Sequence, residues 1–284
     1  MRRAAASLLA VSDTADRALP ILQDALAKAT TDEERLRCQH ALATAYQKLG
    51  RVDDMVRAGR VLLALRPDSD AGFSYLGRAL VRARGWDECR RLAGDRLKHL
   101  PDDVYAIRIL ASVAGRTGDF ETEEKLYGRL VETGKAEAPD LNNLAWLALF
   151  RGGVTDKATE QAQRAVVLTR QGNAADLHTL AALYAEAGKT AEARELILKE
   201  MQMNGSEEPR PDDWYVFGRI AEQYGVREAA VSAYAKVTPP GPDTDVMQST
   251  YTLAQKRLAV LKKQAGARRA AAESLIPGAP PAVE

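Results

Sequence analysis

Apolar and small residues along the chain follow one pattern that returns about every 34 residues. A large apolar residue directly precedes a small one at seven places: Leu42-Ala43, Leu76-Gly77, Leu110-Ala111, Leu144-Ala145, Leu180-Ala181, Phe217-Gly218 and Leu253-Ala254. Successive pairs are separated by 34, 34, 34, 36, 37 and 36 residues, counted along the sequence. Around the pairs, apolar residues recur at helical spacing. A period of ~34 residues predicts a helix-turn-helix repeat array.

A glycine follows each of the first six pairs and predicts the end of the first helix of its repeat. These glycines stand seven or eight residues after the small residue, at Gly50, Gly85, Gly118, Gly152, Gly188 and Gly225. Glycine readily takes the left-handed conformation that ends a helix. The second helix then carries a small residue, such as Ala193 or Ala230. Small residues where two helices cross allow their backbones to approach closely.

The combined pattern resembles the tetratricopeptide repeat family. The segment Trp214-Tyr215-Val216-Phe217-Gly218 is close to the signature of that family's first helix, and the resemblance covers about residues 1 to 262. It implies an all-α fold, a right-handed α-solenoid over residues 1–264. Within it we expect a partial first repeat, six full repeats from about residue 36, and a capping helix over 247–264. Residues 265–284 lack a sustained period and are expected to be disordered.

The beginning of the chain allows two interpretations. The segment AAASLLAV is apolar and fits the register of a first helix, although a short apolar run after two arginines also resembles a signal peptide. Terminal repeats of solenoids normally carry a polar outer face. The absence of such a cap favours a carboxy-terminal piece of a longer protein, and a naturally short first helix is the alternative.

The resemblance also implies where a ligand would bind. In this family the first helix of each repeat lines a concave groove that binds peptides. The corresponding candidate residues are Arg37, His40, Lys48, Arg78, Arg82, Arg108, Arg116, Asn142, Trp146, Phe150, Tyr215 and Arg219. The amino-terminal half of this set is basic and its middle is aromatic.

That distribution of charge suggests a partner. Arginine binds carboxylates through two parallel hydrogen bonds, and tryptophan is among the commonest interface hot spots. We therefore expect another protein as partner, presenting a peptide or helix that is acidic beside an apolar anchor. Two alternatives stay open: the arginines are merely solvated, or Trp146 and Phe150 pack against the next repeat.

The overall charge gives no indication of a nucleic-acid or membrane partner. The chain has 40 Lys and Arg against 39 Asp and Glu, a net charge of +1. Nothing global therefore attracts it to nucleic acid or membrane, and no apolar run reaches the ~18 residues of a membrane helix. We expect no nucleic-acid or membrane partner and, by default, a cytoplasmic location. The oligomeric state is left open.

Signals of enzymatic chemistry are weak. Gly188-Lys189-Thr190 looks like a fragment of a phosphate-binding loop, but Leu183 stands where the first glycine is required. The three histidines are isolated, and Cys38 and Cys89 lack metal-ligand spacing and are expected to be buried, reduced thiols. The sequence thus predicts no catalytic residue, no cofactor and no metal. The predicted function is a non-enzymatic scaffold for protein–protein interaction.

Two other classes of function remain. Residues 141 to about 235 resemble the carboxy-terminal repeat arrays of large bacterial proteins that bear transglutaminase-like domains. The chain would then be an accessory region of a multidomain enzyme. An RNA-binding repeat array is a further possibility, but it predicts strong basicity, which a net charge of +1 disfavours.

Overall fold

The computed structural model describes residues 15–241 and 247–274, and its regular structure there is entirely α-helical. The helices are α1 (Ala15–Ala27), α2 (Asp32–Lys48), α3 (Val52–Leu65), α4 (Asp70–Arg82), α5 (Trp86–His99), α6 (Val104–Arg116), α7 (Phe120–Glu132), α8 (Ala138–Arg151), α9 (Asp156–Leu168), α10 (Ala174–Glu186), α11 (Thr190–Met203), α12 (Asp213–Gln223), α13 (Arg227–Ala235) and α14 (Thr250–Ser274). The first helices of the six predicted full repeats are α2, α4, α6, α8, α10 and α12.

Side-chain caps fix the beginning of several of these first helices. The side chains of Thr31, Ser69, Asp103 and Asn173 each accept a hydrogen bond from a backbone N–H in the first turn of α2, α4, α6 and α10. A cap of this kind stabilises a helix by about 1 kcal/mol. The caps recur with the repeat, so the local sequence sets the period together with the apolar pattern.

The turn that ends the first helix follows the predicted pattern, with one exception. Five of the six predicted glycines have a positive φ: Gly50, Gly118, Gly152, Gly188 and Gly225, at 66°, 81°, 127°, 76° and 73°. In the second repeat Arg84 takes this conformation, with φ 57°, and Gly85 does not. Arg84 stands seven residues after Gly77, the interval found in the other repeats. The length of the helix therefore fixes the left-handed position, and the glycine in this repeat comes one residue too late to occupy it.

The chain divides into two compact units, and the first extends to Leu126. In unit 1 the helices α2, α4 and α6 lie side by side. The Tyr75 hydroxyl on α4 donates a 2.6 Å hydrogen bond to the carbonyl of Ala43 on α2, and Gly77 lies directly against Ile109 on α6. Cys38 and Cys89 are buried and free, as predicted. Burial raises the pKa of the Cys89 thiol to about 11.

Unit 2 comprises the described residues from Tyr127 onward. Its core contains large side chains from each first helix, including Leu177 of α10 and Tyr215 of α12. Helix α14 continues to Ser274, ten residues beyond the predicted end of the capping helix. Residues 265–274, expected to be disordered, are therefore helical. Their alanine-rich sequence explains this, because alanine has the highest helix propensity.

Some sequence predictions fall outside the described residues. These are the predicted first helix over residues 1–14 and the last ten residues of the predicted tail, 275–284. Within the described ranges, no helix has both the length and the apolar character that crossing a membrane requires.

Candidate functional site

Three cations occupy one position in three successive repeats of unit 1. Lys48, Arg82 and Arg116 are the last residues of α2, α4 and α6, spaced 34 residues apart, and all three are exposed. We call them the cation ladder. A cation at a helix C-terminus interacts favourably with the helix dipole. This interaction does not require the side chain to be exposed, so it does not explain why all three cations are. The ladder is thus a repeated charged feature on adjacent first helices.

Arg78 extends this surface along α4. It is exposed, and it lies one helical turn before Arg82. Neither Arg78 nor the ladder residues Lys48 and Arg82 form an ion pair with any carboxylate of the described residues. The positive charge at these three positions is therefore not neutralised by a salt bridge within the described chain.

The other basic candidates of unit 1 are engaged differently. Arg37 is exposed and lies 3.7 Å from the carboxylate of Glu33, one turn earlier on α2. His40 is half-buried, and burial together with the nearby charge of Arg66 lowers its pKa. Arg108 is half-buried, and both Arg108 and the ladder residue Arg116 interact with other residues of the chain. Among the basic candidates, Lys48, Arg78, Arg82 and Arg116 are thus the exposed cations that lie in the second half of adjacent first helices.

In unit 2 the structure corrects the placement of Tyr215 and Arg219. We expected both to face an open groove, but only 1% of Tyr215 and 6% of Arg219 is exposed. The Tyr215 hydroxyl donates to Glu186 of α10, whose carboxylate also lies 2.7 Å from Nε of Arg219. Arg219 donates a 2.8 Å hydrogen bond to Glu222. Both residues thus belong to a buried network that joins α10 and α12.

The network holds its charges by mutual pairing. Burial opposes the charge on Arg219, but Glu186, Tyr234 and Glu222 together outweigh it, so the pKa of Arg219 is raised. Burial also opposes ionisation of Glu222. Hydrogen bonds from Arg257 and from Tyr234, the latter at 2.8 Å, outweigh that effect and lower the pKa of Glu222. The network is therefore ionised and held together by paired charges, although Nε of Arg219 lies 2.7 Å from Glu186 without making a hydrogen bond. This arrangement suits a structural role.

Trp146 and Phe150 contact the chain itself. Both are half-buried, with ring centroids 5.8 Å apart, and the Trp146 indole N–H donates a 2.9 Å hydrogen bond to the carbonyl of Gln248, just before α14. Trp146 also lies 5.8 Å from the ring of His178 on α10. The expected ligand anchors thus pack against α10 and the start of α14. Packing against the next repeat was the alternative, but the contact with α14 was not foreseen.

A cavity of about 810 Å³ opens beside these aromatic rings. Asn142, predicted to line the groove, lies in its wall with His178, Glu200 and Arg210. The loop after α11 returns Arg210 to Glu200, with which it forms an ion pair. Burial raises the pKa of Glu200, and the nearby carboxylate of Asp213 adds to the effect.

Glu200 and Arg210 were missed as site residues. Glu200 lies on a second helix, which the repeat pattern assigns to the outside. The charged loop over 202–212 was the only sequence signal. In the described part of the chain, no three His, Cys, Asp or Glu side chains are grouped so as to hold a metal ion.

His178 should make the stability of unit 2 depend on pH. Burial lowers its pKa, although Asp213, 3.9 Å away, opposes the shift. Because the folded-state pKa lies below the unfolded value of about 6.5, the unfolded chain binds more protons in that range. The free energy of unfolding should therefore fall as the pH drops below about 6.5, by up to about 1.4 kcal/mol per pH unit from this group. Urea unfolding at a series of pH values measures this slope.

The variant His178→Gln isolates that contribution. Its side-chain amide can donate to the carbonyl of Asp212, which lies 3.3 Å from Nε2 of His178. The slope of stability against pH should be shallower in this variant, whereas His99→Gln, at an exposed position, should leave it unchanged. Equal slopes in His178→Gln and the wild type would contradict the expectation.

Comparisons with known proteins support the fold. No protein-family model matches the chain, and no curated protein is significantly similar to it in sequence. A tetratricopeptide repeat protein from Parabacteroides merdae superposes with a TM-score of 0.56 at 15% identity, over 85% of this chain and 93% of that one. The pilF protein of Pseudomonas aeruginosa gives a TM-score of 0.54 at 14% identity, over 75% and 96%. The chain thus has the all-helical fold of tetratricopeptide-like α-solenoids that its sequence predicted.

Proposed function

We propose that the protein is a non-enzymatic scaffold for protein–protein interaction, and that unit 1 binds an acidic segment of another polypeptide. The cation ladder is the observation that carries this proposal. Its members repeat at one position of three adjacent first helices and are exposed. Charges placed so regularly on one element type are suited to a ligand that crosses successive repeats.

The spacing of the ladder matches an extended peptide. Packed helices lie about 8–10 Å apart, and we expect a comparable spacing between successive ladder cations. An extended chain advances about 3.3 Å per residue. A carboxylate at every third residue would therefore meet one cation per repeat. The guanidinium group of Arg82, which forms no ion pair with the described residues, can bind a carboxylate through two hydrogen bonds.

The ladder contributes more to selectivity than to affinity. An exposed ion pair is worth about 0.2–1 kcal/mol, and complementary charge mainly raises the association rate and excludes wrong partners. A ligand held in unit 1 therefore also needs an apolar side chain. The expected ligand, an acidic segment beside an apolar anchor, is kept in the proposal, but Trp146 and Phe150, which were expected to receive the anchor, lie in unit 2.

Charge reversal on the ladder should weaken binding of an acidic peptide. The probe is a short fluorescein-labelled peptide with glutamate at every third position and leucine between, and the measurement is its anisotropy with the full chain at low and high salt. Lys48→Glu with Arg82→Glu should raise the Kd about tenfold or more at low salt, because two attractive pairs become repulsive. The difference should shrink at high salt, which screens exposed charges.

A matched control keeps the same change in net charge. Arg17→Glu with Arg91→Glu reverses two exposed cations on the second helices α1 and α5 and should change the Kd less than twofold. Equal weakening by both pairs would show unspecific attraction and contradict the proposal. Single-stranded RNA should compete poorly with the peptide. Tighter binding of RNA through Lys48 and Arg82 would favour the RNA-binding alternative instead.

The accessory-region alternative stays a prediction from the resemblance of residues 141 to about 235. The complete source gene tests it, since an upstream domain with a Cys-His-Asp site would support it. A cytoplasmic location likewise remains an expectation, and fractionation of the source cell would check it.

A further inference from the structure

Helix α14 packs on α12 and α13, and residues near its start reach the first helix α8. The carbonyl of Gln248, two residues before α14, accepts a hydrogen bond from Trp146 of α8. The Nζ of Lys256 on α14 lies 5.9 Å from the ring centroid of Phe150, which is also on α8. Farther along, Arg257 donates a 3.1 Å hydrogen bond through Nε to Glu222 of α12. We call the surface formed by α8, α10 and α12 the unit 2 groove.

This position differs from that of a helix that merely continues the array. In a solenoid each repeat contacts only its neighbours. Helix α8 belongs to the fourth full repeat, and α14 follows the sixth, yet Trp146 and Gln248 are joined across 102 positions of sequence. Helix α14 therefore reaches beyond its neighbouring repeat, and its side chains contact the end of the unit 2 groove formed by α8.

The contacts between the groove and α14 are complementary in charge. Lys256 and Arg257 lie with Glu186 around one small cavity, and Arg257 is paired with Glu222. Near the amino terminus of α14, the hydroxyl of Thr250 donates to Asp212. The groove thus presents carboxylates beside aromatic rings, and its occupant presents basic residues beside an apolar stripe.

Helix α14 buries a smaller share of its residues over 250–267 than the first helix α10 does. A cavity of about 190 Å³ separates it from the groove, with Leu149, Tyr215 and Leu253 in its wall. Over residues 250–267 the buried positions of α14 are Thr250, Leu253, Ala254 and Leu261, whereas α10 buries eight of its 13 residues.

We propose that the unit 2 groove is a docking site for a basic amphipathic helix of another protein, and that α14 fills this site in the free chain. The spacing of Leu253, Arg257 and Leu261 (i, i+4 and i+8) is that of a helix bound in a groove. The partner that replaces α14 carries the same pattern, with a larger apolar side chain at the position of Leu253 that fills the cavity. This proposal is independent of the cation ladder, which lies in unit 1 and selects the opposite charge.

The test uses the full chain and a labelled peptide with the sequence of residues 248–264. Arg257→Glu in the chain replaces attraction to Glu222 by repulsion and should release α14. Fluorescence anisotropy should then show the peptide binding at least tenfold more tightly to this variant than to the wild type. A peptide carrying Leu253→Phe should bind more tightly still, and one carrying Arg257→Glu at least tenfold more weakly. Lys263→Glu, at an exposed position of α14, is the matched control and should leave peptide binding at the wild-type level.

Hydrogen exchange of the α14 amides shows whether the helix has moved. The proposal is wrong if α14 is released in Arg257→Glu and the peptide still binds no more tightly than to the wild type. It is also wrong if α14 stays as protected as in the wild type both in Arg257→Glu and in its combination with Leu253→Asp, because α14 is then a fixed part of the fold. A dimer in light scattering would mean that copies exchange α14, and would overturn the external partner.

A second measurement applies if the variants unfold. Excess Leu253→Phe peptide added to the wild-type chain should speed hydrogen exchange in α14 while leaving α10 protected. No change in α14 at saturating peptide would overturn the proposal. These experiments do not involve Lys48 or Arg82, so their failure leaves the proposed function of unit 1 standing.

Discussion

Replacing Arg219 with alanine should lower the free energy of unfolding by about 3 kcal/mol. The guanidinium lies between the carboxylates of Glu186 and Glu222, and only 7% of its side chain is exposed. Removing one partner of a buried ion pair costs about 3–5 kcal/mol because the remaining charge is uncompensated. We expect the lower end, since Glu222 keeps its contact with Arg257. Urea unfolding followed by circular dichroism measures the difference.

Arg164→Ala provides the comparison for that measurement. Arg164 is exposed on α9, so its loss should change stability by no more than about 0.5 kcal/mol. If Arg219→Ala costs no more than this control, the buried network does not hold α10 and α12 together, and our interpretation of it is wrong.

Gly218→Ala should destabilise unit 2 by about 2 kcal/mol. A Cβ at this position would lie 2.5 Å from Cε1 of the Tyr234 ring. That ring cannot easily move, because it is fully buried and its hydroxyl donates to Glu222. Overpacking of a core costs about 1–3 kcal/mol. The same urea unfolding experiment measures it.

Gly94→Ala tests the opposite case. Gly94 lies inside α5, and a Cβ there would meet no atom within 4 Å. Alanine should therefore leave stability unchanged or raise it by up to about 1 kcal/mol, since glycine is a poor helix former. If both glycine variants changed stability in the same direction by similar amounts, close approach to Tyr234 would not be the cause.

The fold was predictable because its signal is local and repeated. The pairs from Leu42-Ala43 onward report which face of each first helix is packed, and caps such as Thr31 and Ser69 mark where these helices begin. Even the exception at Arg84 obeys the same rule, since the left-handed residue keeps its distance from Gly77. A pattern of helical period contains this information without reference to distant parts of the chain.

The arrangement in unit 2 was not predictable in the same way. The repeat register correctly assigned Trp146, Tyr215 and Arg219 to first helices. It could not show which other parts of the chain contact these side chains. The contact between Trp146 and Gln248 spans 102 positions, and no local period encodes such a contact. Arginine side chains are usually exposed. The burial of Arg219 depends on the carboxylates of Glu186 and Glu222, which pair with it.

The ladder of unit 1 was closer to the prediction. Lys48, Arg82 and Arg116 are exposed where the register placed them, because no later segment of the described part of unit 1 covers those positions. Their grouping follows from the repeat itself, which brings every thirty-fourth residue to the neighbouring helix.

A groove covered by the chain's own last helix is available only in the fraction of molecules in which that helix has moved away. The apparent affinity for any ligand of such a groove is its intrinsic affinity multiplied by that fraction. If one molecule in a hundred were open, binding would be weakened about a hundredfold. A change near Thr250 or Arg257 could then tune the affinity of the unit 2 groove over a wide range without altering a single residue of α8, α10 or α12.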